Sequence, residues 1–310
     1  MPDICKDLLL RECEADLSAC VRAAEEEYRE KIEEIAARLV EGRRRVVMLA
    51  GPSSSGKTTT AAILADRLTA LGHPTAILSL DNFYRLPNDP AYPRQENGDL
   101  DFEAVDALET DLVHDCLAAI LRGEEYMAPV FDFMRGTRAT EKERIFVPEG
   151  GFLIVEGLHA LNPRLTEGLP ADGLFLLFIS VSTNITDAAG NRLLSGRKIR
   201  FLRRMSRDHL YRNSSAARTY ELWRNVLAGE DRYLYPYKGR ADMAINTFHR
   251  YEIGVLRPFA ERLLAAPDAP RDAYIETVRG GISHFPPLPD TVVPEDSLLR
   301  EFIPGGIYET

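Results

Sequence analysis

The chain has 310 residues, enough for one large α/β domain with extensions or for two small domains. Its hydrophobic fraction of 45% and charged fraction of 28% are ordinary for a soluble protein, and its formal net charge of −10 argues against a nucleic-acid partner. The N-terminus carries acids among its leucines, and the longest apolar run, residues 174–181, is too short to span a bilayer. We therefore expect a cytoplasmic protein with no membrane partner.

The first part of the chain has the composition of a helical extension. Residues 5–41 lack proline, and the apolar residues Ile32, Ile35, Ala36 and Leu39 recur at helical spacing. One or two helices that serve packing or oligomerisation are expected here. The four cysteines form no CxxC pair and have no metal-binding spacing, so we expect buried or indifferent thiols in a reducing cytosol.

A phosphate-binding loop follows an apolar, strand-like run at residues 46–50. Residues 51–58 match the pattern GxxxxGKT, in which glycines let the backbone curl so that successive N–H groups face phosphate oxygens. The helix that follows presents its positive end to the same anion. Lys57, one of only six lysines, is predicted to bridge the β- and γ-phosphates of ATP, and the Thr58 hydroxyl to bind Mg²⁺. The residues expected to bind the triphosphate are Gly51, Ser53, Ser54, Ser55, Gly56, Lys57, Thr58 and Thr59.

Acidic residues end two further apolar strands. Asp81 follows a predicted strand at residues 75–80, and Glu156 follows one at residues 152–155. In a parallel sheet both carboxylates emerge at the carboxyl edge, beside the phosphate loop. We assign the general base to Asp81 and the Mg²⁺ contact mainly to Glu156, with Asp81 as a second metal candidate. Either acid could instead cap a helix or turn, and the two roles could be exchanged.

Strands and helices alternate along the rest of the chain. Further strands are predicted at residues 174–181 and 241–246, and helices at 58–71, 106–121, 200–211, 216–227 and 251–265. This alternation predicts an α/β protein with a three-layer P-loop NTPase fold and a mostly parallel central sheet. The predicted division is an N-terminal helical extension at 1–43, a P-loop kinase domain at 44–285, and a proline-rich tail at 286–310 that wraps the surface.

Six arginines fall within residues 197–212. At helical spacing Arg200, Arg203 with Arg204, and Arg207 share one face. Such a face predicts an arginine-rich helical lid at about residues 191–215, which closes over the triphosphate and stabilises charge during phosphoryl transfer. The alternative is a solvated helix with internal pairs to Asp208. We interpret the remaining polar aromatic side chains as packing or polar surface: His159, His209, Tyr233, Tyr235 and Tyr237.

These motifs together resemble the uridine kinase/phosphoribulokinase family of P-loop kinases, in particular its bacterial uridine kinase-like members. The similarity runs from about residue 27 to residue 303, and four stretches carry it: residues 50–59, 79–84, 155–159 and 203–208. The resemblance implies an ATP-dependent phosphotransferase that moves the γ-phosphate, with Mg²⁺, to the 5′-hydroxyl of a nucleoside. It also implies a small-molecule acceptor and allows a homo-oligomer.

The resemblance further implies roles for single residues. Asp81 would activate the ribose 5′-hydroxyl, and Asp101 would hold ribose hydroxyls. The lid arginines Arg204, Arg207 and Arg212 would reach the acceptor and the phosphates, with Arg204 and Arg207 catalytic alongside Lys57. The remaining residues implied at the acceptor are Tyr84, Phe131, Asp132, Phe133 and Arg138.

Two departures from the family pattern affect the acceptor. Gly136 stands where uridine–cytidine kinases have a histidine against the pyrimidine, and Ser214 stands where a further lid arginine falls. The donor half of the site is therefore kept, while the base-reading half is altered. Two alternatives stay open: a kinase of another small hydroxyl compound, such as a sugar phosphate or a pantothenate-like acceptor, and a non-kinase nucleotide-dependent regulatory protein. Asp81 argues against the second, because a switch needs no base for an acceptor hydroxyl.

Overall fold

The structure is a computed structural model that describes residues 3–42, 44–132 and 135–308. The α-helices of these residues are α1 Lys6–Ala15, α2 Leu17–Glu41, α3 Lys57–Ala70, α4 Thr110–Leu121, α5 Gly196–Arg212, α6 Ala216–Tyr233, α7 Glu252–Leu264 and α8 Ala273–Ser283. The strands are β1 Asp3–Cys5, β2 Val46–Ala50, β3 Thr75–Ser79, β4 Tyr126–Ala128, β5 Phe131–Asp132, β6 Thr137–Arg138, β7 Glu143–Ile145, β8 Phe152–Glu156, β9 Leu174–Ser180, β10 Asn184–Thr186, β11 Arg192–Leu194 and β12 Met243–Asn246. None of the described helices is both long and apolar enough to cross a membrane.

A five-stranded sheet in the order β12-β9-β2-β8-β3 forms the centre, and all its neighbouring strands pair in parallel. Every residue of β2 is buried, as expected for a strand covered on both faces. Val47 and Leu49 point into a core with α2, α3, α5 and α7, whereas Val46 and Met48 point into a second core with α4. The predicted three-layer α/β architecture is confirmed.

The sheet topology brings the predicted site together. β8 lies between β2 and β3, so Glu156 ends its strand between the phosphate loop and Asp81. All five predicted strands of the sheet are present. Helix α8 was not predicted. The same is true of the short strands β1, β4–β7, β10 and β11, because two- and three-residue strands carry no usable periodicity.

The N-terminal helices pack on the same core as the sheet. Tyr28 of α2 lies with its hydroxyl oxygen 2.8 Å from Thr60 Oγ1 of α3, and the two groups share a hydrogen bond. An extended residue, Asp16, separates α1 from α2 and brings Cys13 and Cys20 together in a disulfide. Our expectation of thiols was therefore wrong for this pair; Cys5 and Cys116 are free. The predicted domain boundaries stay a prediction.

The C-terminal segment differs from our expectation. It was expected to wrap the surface, yet Leu298, Leu299, Phe302 and Ile303 are each at most 2% exposed. They join the core that contains α3, α5 and the sheet. For these four residues the expectation of a surface position was wrong, because it relied on the prolines of the tail and overlooked its apolar side chains.

Candidate active site

The phosphate loop links β2 to α3 and has little room for side chains. A Cβ atom at Gly51 would lie 2.5 Å from the Ile179 carbonyl oxygen, so only glycine fits. Gly56 has a φ of +90°, and Ser54 also has a positive φ of 57°. These conformations turn the loop into the curl expected of a phosphate cradle, directly before the first turn of α3.

Polar groups of the loop fit the triphosphate and Mg²⁺ predicted for it. The side-chain oxygens of Ser54 and Ser55 are buried and have no hydrogen-bond partner among the described residues. Such orphaned groups are costly unless a ligand satisfies them. Lys57 Nζ donates a 3.3 Å bond to the Pro52 carbonyl oxygen and faces the cavity that Thr58 also lines. These hydroxyl and ammonium groups therefore suit a bound anion together with a hard cation.

Asp81 and Glu156 face the same cavity as Lys57. Ser79 connects the two acids, because its Oγ donates to Glu156 Oε1 at 2.8 Å and accepts from the Asp81 backbone N–H at 3.3 Å. Burial raises the pKa of Glu156 to about 7, against the opposing effect of Lys57. Enclosure in the cleft also raises the pKa of Asp81, and Lys57 opposes the shift. Asp81 itself stays open to the cavity, which suits a group that meets an acceptor.

Three arginines of α5 line the opposite side of this cavity: Arg204, Arg207 and Arg212. Arg204 Nη1 donates to Ser53 Oγ of the phosphate loop at 2.7 Å. Asp208 lies within 4 Å of all three guanidinium groups and holds them as a cluster. The cavity measures about 240 Å³ and also contacts Tyr84, Glu103, Glu230 and Glu301. It therefore combines a lysine of the glycine-rich loop, two strand-end acids and an arginine cluster.

Comparison with known proteins gives the same family that the motifs indicated. The model of the phosphoribulokinase/uridine kinase family matches residues 46–186. A uridine kinase from Schizosaccharomyces pombe is 26% identical over 84% of this chain and 54% of its own length. One from Leuconostoc citreum is 29% identical over 71% of this chain and 90% of its own length. A solved structure of a possible uridine kinase from Bacillus stearothermophilus covers 71% of this chain and 99% of its own, with 16% identity and a TM-score of 0.48.

Residues 46–186, less than half of the chain, are therefore similar to the phosphoribulokinase/uridine kinase family.

The family match contains the phosphate loop, Asp81, Asp101 and Glu156, but it ends before α5. The chain spans about half the length of the S. pombe relative, and every relative named here is below 30% identical.

A second cavity adjoins the one that Asp81 lines. Asp101 lies in an adjoining cavity of about 350 Å³, where Tyr233 donates to its Oδ2 at 2.9 Å. Glu103 borders both cavities, and burial raises its pKa to about 7. Tyr233 was interpreted as packing or polar surface; its hydrogen bond makes it a support of Asp101.

Of the described residues in β5 and β6, Phe131, Asp132 and Arg138 do not line either cavity. The Phe131 backbone N–H donates to Asn82 Oδ1 at 3.2 Å, and its ring centroid lies 6.1 Å from that of Tyr84. Arg138 forms an ion pair with Glu109, and Asp132 accepts from the Arg135 backbone N–H at 3.0 Å. Phe133 lies outside the described residues. Substrate roles for these hairpin residues stay predictions.

The arginine helix is only in part what the pattern predicted. Arg200 and Arg203 are 1% and 0% exposed and pair with Glu230 and Glu252. They are structural groups behind the site and cannot face a nucleotide across the cavity. Glu230 also accepts from the Ser53 backbone N–H at 2.9 Å, so this amide of the loop is already occupied.

Sequence reasoning missed three acids at the cavity: Glu103, Glu230 and Glu301. Glu103 carried a local signal, because it follows Asp101 in a stretch that resembles the family. Glu230 and Glu301 gave no local signal, since their partners are 30 and 242 residues away in the chain.

Proposed function

We propose that the chain is an ATP-dependent nucleoside kinase that transfers the γ-phosphate to a 5′-hydroxyl group. One observation carries the proposal: the Asp81 carboxylate opens into the cavity that Lys57, Thr58 and the α5 arginines line. A base for an acceptor hydroxyl beside a phosphate loop suits a kinase better than a nucleotide switch. The uridine kinases among the relatives support a nucleoside as the acceptor.

The roles follow from position. The loop amides and Lys57 would bind the triphosphate, and Thr58 with Glu156 would hold Mg²⁺, which neutralises phosphate charge when bound. Asp81 would accept the proton of the acceptor hydroxyl as its oxygen bonds to the γ-phosphorus. The bond from that phosphorus to the β–γ bridging oxygen breaks, and ADP leaves. Arg204, Arg207 and Arg212 would neutralise the charge that develops on the transferring group.

The charge of the acceptor side favours a neutral polyhydroxyl compound over a sugar phosphate. Glu103 lines both the Asp81 cavity and the adjoining cavity, and Asp101 lines the adjoining one. Carboxylates accept hydrogen bonds from hydroxyl groups but repel a second phosphate. The hydroxyl groups of a ribose ring can donate hydrogen bonds to these acids, whereas the phosphate of ribulose 5-phosphate would be repelled by them.

The proposal includes a cytoplasmic location and a small-molecule acceptor as the only substrate besides ATP. The net charge of −10 supports the absence of a nucleic-acid partner. A homo-oligomer built through the N-terminal helices stays a prediction, as it rests on the resemblance to the family.

An acceptor screen combined with Asp81→Asn tests the proposal. ADP release from MgATP would be measured with uridine, cytidine, adenosine, ribulose 5-phosphate and pantothenate. We expect a nucleoside to stimulate it most. Asp81→Asn should lower this stimulated rate by about 10²-fold or more while ATP affinity by calorimetry stays nearly unchanged, because only the proton acceptor is lost.

The control is Asp172→Asn, at an exposed residue in a turn before β9, which should leave the rate unchanged. If no nucleoside stimulates ADP release, the nucleoside proposal is wrong. If a nucleoside is phosphorylated and Asp81→Asn keeps near-normal turnover, the base is another group.

A further inference from the structure

The C-terminal segment 297–303 is wedged between the phosphate-loop helix and the arginine helix. Leu298 packs against the loop so closely that a Cβ at Gly56 would lie 2.6 Å from Leu298 Cδ1. The Phe302 ring lies 4.9 Å from the Arg203 guanidinium carbon, and the Phe302 carbonyl oxygen accepts from Ser206 Oγ at 2.6 Å. The segment thus contacts α3 and α5 at once, although it lies more than 230 residues beyond the loop.

Glu301 brings a carboxylate from this segment to the wall of the active-site cavity. The residue is 5% exposed, and its Oε2 accepts from Thr59 Oγ1 at 2.9 Å. Its Oε1 lies 3.8 Å from Arg207 Nη1. One side chain therefore connects the first turn of α3 with a cavity-lining arginine of α5.

Asp208 and Glu301 contact different nitrogens of the Arg207 guanidinium. Its Nη2 and Nε donate to Asp208 Oδ1 at 2.9 and 3.2 Å on its own helix. Asp208 is shared with Arg204 and Arg212, and it lies behind the cluster without lining the cavity. Glu301 does line the cavity and faces the remaining terminal nitrogen of Arg207. Without Glu301, Asp208 would be the one acid among the described residues that forms an ion pair with this guanidinium.

We propose that Glu301 is a positioning residue for phosphoryl transfer, which holds Arg207 towards the phosphate side of the cavity. A guanidinium must be aligned to share charge with a transferring phosphoryl group, and small misplacements are costly in rate. The inference rests on the phosphotransferase activity of the site and not on which acceptor it uses.

The position of Glu301 also determines which kinetic constant should change. A carboxylate at the cavity wall repels a bound triphosphate, so removing its charge does not weaken ATP binding. Removing it does release Arg207 from its alignment. Loss of the Glu301 charge should therefore lower kcat without raising the KM for ATP. Loss of a residue that only supports the fold would lower stability instead.

Glu301→Gln is the decisive variant, because glutamine keeps the volume and an oxygen that accepts from Thr59. We expect kcat to fall about tenfold, with the KM for ATP unchanged or lower. The rate would be measured as ADP release with the best acceptor of the panel, or as basal ATP hydrolysis if no nucleoside stimulates it. The second readout keeps this test independent of the nucleoside proposal.

A double-mutant cycle shows whether Glu301 acts through Arg207. In an Arg207→Ala background, Glu301→Gln should change the rate by less than about twofold, because the side chain it orients is gone. The matched control is Glu295→Gln, at an exposed residue just before this segment, which should leave kcat unchanged.

Three results would overturn the proposal. One is a kcat for Glu301→Gln within about twofold of the wild-type value. Another is an equal fall in both backgrounds, which would mean that Glu301 acts without Arg207. The last is loss of the cooperative unfolding transition in Glu301→Gln, which would make Glu301 a residue of the scaffold.

Discussion

Arg203 and Arg204 are adjacent in sequence and have different surroundings. The Arg203 side chain is fully buried and donates to Glu252 Oε2 through Nε at 2.8 Å and through Nη2 at 2.5 Å. Burial raises the pKa of Glu252 to about 7, although Arg203 opposes this. The Arg204 side chain faces the cavity and the phosphate loop instead. Of these two neighbouring arginines, Arg203 is a buried structural group and Arg204 lines the site.

Arg203→Ala should lower the free energy of unfolding by about 3–5 kcal/mol, because it leaves Glu252 buried without its cation. Urea unfolding followed by circular dichroism measures this change. The matched control is Arg38→Ala in the exposed pair with Glu34, where both side chains are about half exposed and the loss should stay below about 1 kcal/mol. Equal losses in the two variants would contradict the structural role of Arg203.

Helix α2 is an element of the core and not an appendage. Ile32, Ile35 and Leu39 are at most 1% exposed and pack in the same core as the sheet residues Val47 and Leu49. The helical period predicted which face is apolar. It did not predict that this face covers the phosphate-loop helix α3.

Ile35→Ala should therefore cost about 2–5 kcal/mol of unfolding free energy, as expected for a large-to-small change in a packed core. Val40→Ala is the control on the same helix, because Val40 is 41% exposed. Its cost should be below about 1 kcal/mol. Both changes are read from urea unfolding, and a cost for Ile35→Ala as small as that for Val40→Ala would show that α2 does not contribute to the core.

At the scale of the whole molecule, buried ionisable groups give opposing pH dependences. Burial lowers the pKa of His159 to about 4 and that of His249 to about 3. As pH falls below 6.5, the unfolded chain binds protons that these native histidines do not, so stability decreases. Burial raises the pKa of Glu103 and Glu156 from 4.5 to about 7, so the native state binds more protons than the unfolded chain. Their contribution to stability therefore decreases as pH rises from about 4.5 through 7.

His249→Asn isolates one of these contributions. The His249 side chain is buried, with Nδ1 3.1 Å from the Thr247 carbonyl oxygen. Between pH 7 and pH 5 the wild type should lose about 2 kcal/mol more unfolding free energy than the variant, because the asparagine does not titrate. Urea unfolding at both pH values measures the difference. Parallel pH profiles of the two proteins would mean that His249 is protonated in the folded state.

The local sequence determined the sheet, the phosphate loop and the two strand-end acids. Apolar runs that end in Gly51, Asp81 and Glu156 are sufficient, because the carboxyl ends of neighbouring parallel strands meet at one edge. The same reasoning placed Lys57 and Thr58 in the cavity with these acids. Each of these inferences depends only on residues that are close together in the chain.

Only the tertiary structure decided which arginines are buried and which acids join them. Arg200 and Arg203 carry the same charge and helical spacing as their neighbours. They nevertheless form buried ion pairs with Glu230 and Glu252 on other helices and do not face the site. Glu301 reaches Thr59 across 242 residues. The strength and role of an ion pair depend on its burial and geometry, and folding alone sets both.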